Sequence, residues 1–213
     1  MYRLFRPELS DLDSKPNCEK IPRIVVVASG NGSNFQAIAD AINNKQLDAK
    51  IECLITDKPC YAIERARILG IESILLDKPW YETFERVIDS IEPTIVVLAG
   101  FMRIIPSHIV EKYFPRIINI HPALLPAFPG KEAIKQAFEY GVKVTGITIH
   151  FVDSGVDSGP IILQKAIEVE ENWDLETVEY KIHSLEHEYY WRAIDSLLKR
   201  PFKIKNRKVT WGE

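Results

Sequence analysis

Cysteine is scarce in this sequence, long apolar runs are missing, and neither sign of charge dominates. The three cysteines, Cys18, Cys53 and Cys60, form no motif. An odd, sparse set suits a reducing compartment better than a disulfide framework, so a cytoplasmic location is expected. No apolar stretch approaches the roughly 20 residues that span a bilayer. Twenty-seven basic residues stand against 30 acidic ones, a net charge of -3. A dedicated nucleic-acid binder is usually basic, so nucleic acid is not an expected partner. The first 21 residues lack a signal-peptide apolar core and carry Glu8, Asp11 and Asp13, which fits poorly with a transit peptide. Residues 1–21 read as an N-terminal extension, and 22–213 as one domain. That domain has an N-terminal half, about 22–120, and a C-terminal half, about 121–213. No repeat or low-complexity linker divides it.

What is present is an alternation. The β-branched runs RIVVVA, KIECLIT, ESILL, TIVVLAG and RIINI read as strands. Between them, NFQAIADAINN, YAIERARILG, WYETFERVIDSI and SHIVEKYF carry helical apolar spacing, with Gly70 where a helix C-cap belongs. Strand and helix in alternation predict a doubly wound, mostly parallel sheet with helices on both faces. Strands apolar almost throughout agree with burial on two sides. Ligands are then expected beyond the strand C-termini. After His121 the rhythm changes. PALLPAFPG is too proline-rich for a regular helix. KEAIKQAFEYG reads as a short helix, and KVTGITIHFV and GPIILQKAIEV as a hairpin-like pair joined by DSGVDS. A long helix follows from about Asp174, a plausible N-cap, to Lys199. The tail PFKIKNRKVTWGE alternates like an edge strand, with lysines guarding the edge rather than marking a nucleic-acid patch.

The first strand runs into Ala-Ser-Gly-Asn-Gly-Ser-Asn. A nucleoside-triphosphate loop would need a lysine that is absent. The dinucleotide fingerprint fits at Gly30 and Gly32 but meets Phe35 at its third glycine, the position that lets helix and strand close beside a pyrophosphate. Asp57, ending the second strand, imitates a ribose-binding acid only weakly. What remains suits a single phosphate: the N–H groups of Gly32, Ser33 and Asn34 open a helix, and Ser33 and Asn34 add side-chain donors. The plainer reading is a strand–helix turn capped by Ser33 or Asn34.

A second constellation is NIHPALLPAFPG. Asn119 and His121 are two apart on an extended strand end and share a face. An amide donor beside an imidazole suits acyl or formyl transfer, with Asn119 facing a developing oxyanion and His121 moving a proton. Asp153 and Asp157 are candidate carboxylate neighbours of the histidine. Taken singly, His121 could be a structural loop residue and each aspartate a turn former. G-x-S-x-G is absent and no cysteine lies near this stretch, so direct attack of one substrate on another is preferred to a covalent intermediate. HSLEH at His183–His187 matches an inverted zinc motif, yet a catalytic site would need a third ligand from a short remaining chain. Glu186 could instead hold an amine.

SGNGSN, LAGFMRI, NIHPALLPAFPG, HFVDSGVDSGPIILQ and LEH stand in the order and spacing of the phosphoribosylglycinamide formyltransferases, and the resemblance covers about residues 22–200. It implies a formyltransferase-like Rossmann-type fold and a cytoplasmic enzyme of purine biosynthesis. The amine of glycinamide ribonucleotide would attack the formyl carbon of 10-formyltetrahydrofolate, with no metal. By the same resemblance Gly32, Ser33 and Asn34 hold the phosphate. His121 is the proton donor, Asn119 faces the formyl oxygen, and Asp157 tunes the histidine. Met102, Arg103, Ile104 and Ile105, together with Asp153, Ser154, Gly155 and Val156, match the folate loops. His183, Ser184, Leu185 and Glu186 match the stretch facing the substrate amine and ribose. Residues 77–82 look shorter than in the family and offer no match for a basic folate contact. Related readings are a 10-formyltetrahydrofolate hydrolase, a methionyl-tRNA formyltransferase, or a non-catalytic phosphosugar or folate binder. The short N-terminal extension and the early end speak against the first two. The partners expected are small molecules, with no membrane, and the sequence leaves monomer or homodimer open.

Overall fold

The computed structural model describes residues 21–212. The extension at 1–21 therefore falls almost wholly outside the described residues, as does Cys18.

The elements run β1 (Arg23–Ala28), α1 (Ser33–Asn43), β2 (Lys50–Thr56), α2 (Tyr61–Leu69), β3 (Ser73–Leu75), α3 (Trp80–Ile91), β4 (Ile95–Leu98), α4 (Ser107–Tyr113) and β5 (Ile117–His121). Then come α5 (Ala133–Tyr140), β6 (Val144–Phe151), β7 (Ile161–Glu168), α6 (Leu175–Lys199), β8 (Phe202–Lys205) and β9 (Lys208–Trp211). Among the described residues the nine strands join one sheet in the order β3-β2-β1-β4-β5-β6-β7-β9-β8. β3, β2, β1, β4 and β5 pair in parallel, and β6 and β7 continue the sheet antiparallel.

Alternation along β1 explains the two layers. Ile24, Val26 and Ala28 face a core built with α1, α2, α5 and α6, through residues such as Phe35, Ile38, Ala66, Ile134 and Ile182. Val25 and Val27 face the opposite core, with Phe84 and Ile88 of α3 and Ile109 and Tyr113 of α4. A strand buried on both faces has to be apolar wherever it is covered, which is the pattern RIVVVA shows from Ile24 to Ala28. The sheet is thus doubly wound, and its strand order reverses between β1 and β4, where a crevice opens at the C-terminal edge.

The helix ends follow local chemistry. Gly70 caps α2 at φ 67°, in the left-handed region that glycine enters without penalty. The Asp174 carboxylate accepts the Thr177 N–H at the start of α6. Among the described residues no helix is long and apolar enough to cross a membrane.

The tail differs from the single edge strand that its alternation suggests. It is a hairpin, β8–β9, turning at Asn206 with φ 54°, and β9 pairs in parallel with β7. Phe202 stacks on Phe151 with ring centroids 5.4 Å apart, so the apolar face of the tail is anchored over β6.

Candidate active site

Three loops leave the C-terminal edge beside the crevice. The Ser29 N–H donates to the Gly100 carbonyl at 3.2 Å, and the Met102 N–H donates to Ser29 Oγ at 3.1 Å. The loop after β1 and the loop after β4 are thereby tied together.

β5 delivers Asn119 and His121 to this edge on one face, as period 2 requires. Both His121 ring nitrogens face oxygens. Nε2 lies 2.8 Å from the Phe128 carbonyl, which can only accept, so Nε2 carries a proton. Nδ1 lies 3.3 Å from Asp157 Oδ2. The carboxylate and the carbonyl thus flank the ring on opposite sides and fix its orientation. Asp157 Oδ2 also accepts the Gly130 N–H at 2.8 Å. Asp157 therefore stands beside His121, the neighbour expected of one of the two candidate aspartates. Asp153 has the turn-former geometry: its Oδ1 accepts the Gly155 N–H at 3.1 Å and the Ser158 hydroxyl at 2.6 Å.

A residue unmarked in the sequence completes the cluster. His150 on β6 is paired with Asn119 across the antiparallel ladder and is only 2% exposed. Its Nδ1 donates to the Phe151 carbonyl at 2.9 Å, which leaves Nε2 as the acceptor facing Asn119 Nδ2 at 3.4 Å. Burial pushes the His150 pKa below the usual histidine value and favours this neutral form. The contact orients the Asn119 amide and leaves its second N–H available. The signal was the β5–β6 register, which becomes readable only once the strands are known to pair.

At the first loop, Gly32 occupies the N-cap of α1 at φ 76°, with no side-chain cap, so neither Ser33 nor Asn34 caps the helix. The Ser33 and Asn34 backbone N–H groups have no hydrogen-bond partner among the described residues. The Asn34 side chain is buried, and one of its two Nδ2 hydrogens is given to Glu186 Oε2 at 3.1 Å. Glu186 Oε2 also accepts from His183 Nδ1 at 2.9 Å, and that bond raises the His183 pKa above its usual value. The helix α6 thus reaches the phosphate-type loop through His183 and Glu186. Leu185 is half-buried against the core beside it. Ser184 does not join this group. It is exposed, and its hydroxyl donates to the Tyr180 carbonyl at 2.8 Å, because two residues along a helix turn it some 200° away from Glu186. Among the described residues no group of three His, Cys, Asp or Glu side chains is placed to hold a metal ion.

The expected folate loops pack toward one face, since Phe101 and Val152 join the same apolar cluster. They leave Met102, Ile104 and Val156 exposed by 62%, 71% and 54%, while Ile105 is buried in the core. Large apolar groups held open at a strand edge fit a flat apolar ring. Ser154 and Gly155 lie exposed between Asp153 and Val156. Arg103 Nε is 2.7 Å from Asp57 Oδ2, so Asp57 pairs with an arginine rather than standing as a ribose acceptor. A cleft of about 520 Å³ opens here, lined in part by Asp57, Lys78, Trp80 and Arg103. No basic residue of 77–82 had been matched to a folate contact from the sequence; Lys78 of that stretch lines this cleft.

Residues 22–194 match the family described as formyl transferase. Over 184 residues the chain is 48% identical to the phosphoribosylglycinamide formyltransferase of Bacillus subtilis, covering 83% of this chain and 94% of that protein. Its fold matches the crystal structure of glycinamide ribonucleotide transformylase 1 from Symbiobacterium toebii with TM-score 0.88 and 36% identity, covering 96% of this chain and all of that one. A formyltetrahydrofolate deformylase from Pseudomonas syringae pv. tomato matches with TM-score 0.84 at 25% identity, over 92% of this chain and 67% of that one.

Proposed function

The chain belongs to the formyl transferase family, and on that premise we propose that it moves the formyl group of 10-formyltetrahydrofolate onto the amine of glycinamide ribonucleotide. The products are the formylated ribonucleotide and tetrahydrofolate, in purine biosynthesis. The observation that carries this reading is the convergence of Asn119, His121 and Asp157 at the C-terminal edge of the sheet.

The amine attacks the formyl carbon directly, and charge develops on the formyl oxygen. The Asn119 N–H not held by His150 faces that charge, and a donor of this kind is typically worth about 2.7–4 kcal/mol of barrier. His121 exchanges the Phe128 carbonyl for the formyl oxygen and donates its Nε2 proton there, while Asp157 beside Nδ1 keeps the ring oriented. Transfer completes when the hydroxyl returns its proton to His121 as the carbonyl re-forms, the C–N bond to the folate breaks, and the proton lost by the attacking nitrogen passes to the departing folate nitrogen. The backbone N–H groups of Gly32, Ser33 and Asn34 hold the ribonucleotide phosphate. Glu186, with His183 beside it, faces the amine and ribose. Met102, Ile104 and Val156 flank the folate ring, and Arg103 approaches its acidic tail. The substrates are small molecules, and no step requires a metal.

The test follows folate absorbance in purified protein given 10-formyltetrahydrofolate, with and without glycinamide ribonucleotide. Conversion that requires the ribonucleotide supports the transferase. Conversion without it identifies a hydrolase, the activity named for the Pseudomonas relative. No conversion in either tube overturns the enzymatic reading.

A further inference from the structure

Arg65 lies on α2, outside every motif, yet it clamps the first loop. Its Nε donates to the Asn31 carbonyl at 2.9 Å and its Nη2 to Asn31 Oδ1 at 2.8 Å. Nη1 donates to Gln36 Oε1 at 3.3 Å, on the first turns of α1. The stem runs beside Gly32, with Cδ 3.5 Å from where a Cβ would stand. The Ala62 N–H, one turn earlier on α2, donates to the Gly30 carbonyl at 3.2 Å. One face of α2 therefore grips the loop from Gly30 to Gly32.

The acceptors that hold Arg65 are all neutral. No carboxylate lies within ion-pair distance of its guanidinium among the described residues, whereas Arg67 on the same helix pairs with Glu64 at 2.6 Å. Two of the five guanidinium N–H groups remain unused. The Ser33 and Asn34 backbone N–H groups at the start of α1 also lack partners among the described residues. A cation fixed in place without a counter-charge, next to unpaired main-chain donors, lacks only its anion.

We infer that Arg65 is the positioning residue that fits this loop to a phosphate ester, holding Asn31 and the start of α1 in register and supplying the uncompensated positive charge. The inference rests on the transfer reaction proposed above and adds a determinant of affinity for the phosphorylated substrate. Arg65 touches the loop and not the reacting carbon, so its contribution belongs to ribonucleotide binding and not to the chemical step.

Steady-state kinetics of the full chain with Arg65→Gln and Arg65→Lys test it. With Arg65→Gln the KM for glycinamide ribonucleotide is expected to rise by about tenfold or more, with kcat within about twofold and the folate KM unchanged. Competitive inhibition by inorganic phosphate should weaken in parallel, and the dependence of KM on ionic strength should flatten. Arg65→Lys keeps the charge but loses the fork on Asn31, so its KM should fall between the two while its salt dependence stays close to that of the unmodified chain. An active Arg65→Gln enzyme whose ribonucleotide KM stays within about twofold overturns the inference. So does a variant in which kcat and the melting temperature fall while both KM values rise together, since that marks a merely structural role. Absence of transfer by the unmodified chain would instead defeat the reaction assignment.

Discussion

Asp157 Oδ2 stands 3.3 Å from His121 Nδ1 while the same oxygen accepts the Gly130 N–H. One carboxylate thus orients the imidazole and anchors the loop whose Phe128 carbonyl engages the other ring nitrogen. Asp157 itself sits at φ 50°, a left-handed conformation that aspartate and asparagine tolerate better than other side chains.

Asp157→Asn is therefore the clean test of the carboxylate. It keeps the shape, tolerates the backbone and can still accept from Gly130, but it removes the charge beside His121. The expected result is a fall in kcat of about 10²–10⁴-fold with little change in ribonucleotide affinity. Asp157→Ala would mix that loss with backbone strain. Steady-state kinetics beside ribonucleotide binding separates the two effects. Near-full turnover in Asp157→Asn would remove the carboxylate from the mechanism.

The histidines make opposite predictions about pH. Burial lowers the His150 pKa below the ordinary 6.5, and the bond to Glu186 raises that of His183 above it. Below pH 6.5 the unfolded chain takes up a proton that folded His150 still refuses, so acidification through that range costs stability. For His183 the sign reverses: its contribution is complete below 6.5 and is lost as pH rises through the folded value. An NMR titration of the imidazole protons should show one midpoint on each side of 6.5. Glu186→Gln should bring the His183 midpoint down and leave that of His150 unmoved. Coincident midpoints near 6.5 for both rings would contradict the buried and paired environments described here.

The sequence and the structure agree most closely where burial leaves no choice. RIVVVA, KIECLIT and WYETFERVIDSI match β1, β2 and α3 residue for residue, because strands and helices covered by the core must show their period. Asn119 and His121 were readable together because two residues along one strand fix a shared face. Long-range partners were not. Nothing local in SGNGSN shows that the Asn34 amide reaches Glu186, 152 residues away. His150 looks like any polar residue in ITIHF until β6 pairs with β5. The direction of the Ser184 side chain, by contrast, was already set by helical spacing, which turns it away from Glu186. The tail hairpin was obscured because Asn206-Arg207 is a weaker turn signal than Asn-Gly or Asp-Gly.

The two glycines of the first loop should behave very differently, although one motif contains both. A Cβ on Gly30 would meet nothing within 4 Å. A Cβ on Gly32 would lie 2.7 Å from the Ala62 Cβ and 2.9 Å from its Cα, at φ 76°. Gly30→Ala should leave stability within about 0.5 kcal/mol of the parent. Gly32→Ala should lose about 1–3 kcal/mol through overpacking, with backbone strain added to it. Denaturant melts of the two variants check this, and equal midpoints would contradict the close approach of α1 and α2. Pairing Gly32→Ala with Ala62→Gly should recover only part of the loss. It removes the Cβ contact but leaves the Ala62 Cα in place and the left-handed backbone still occupied by a residue with a side chain.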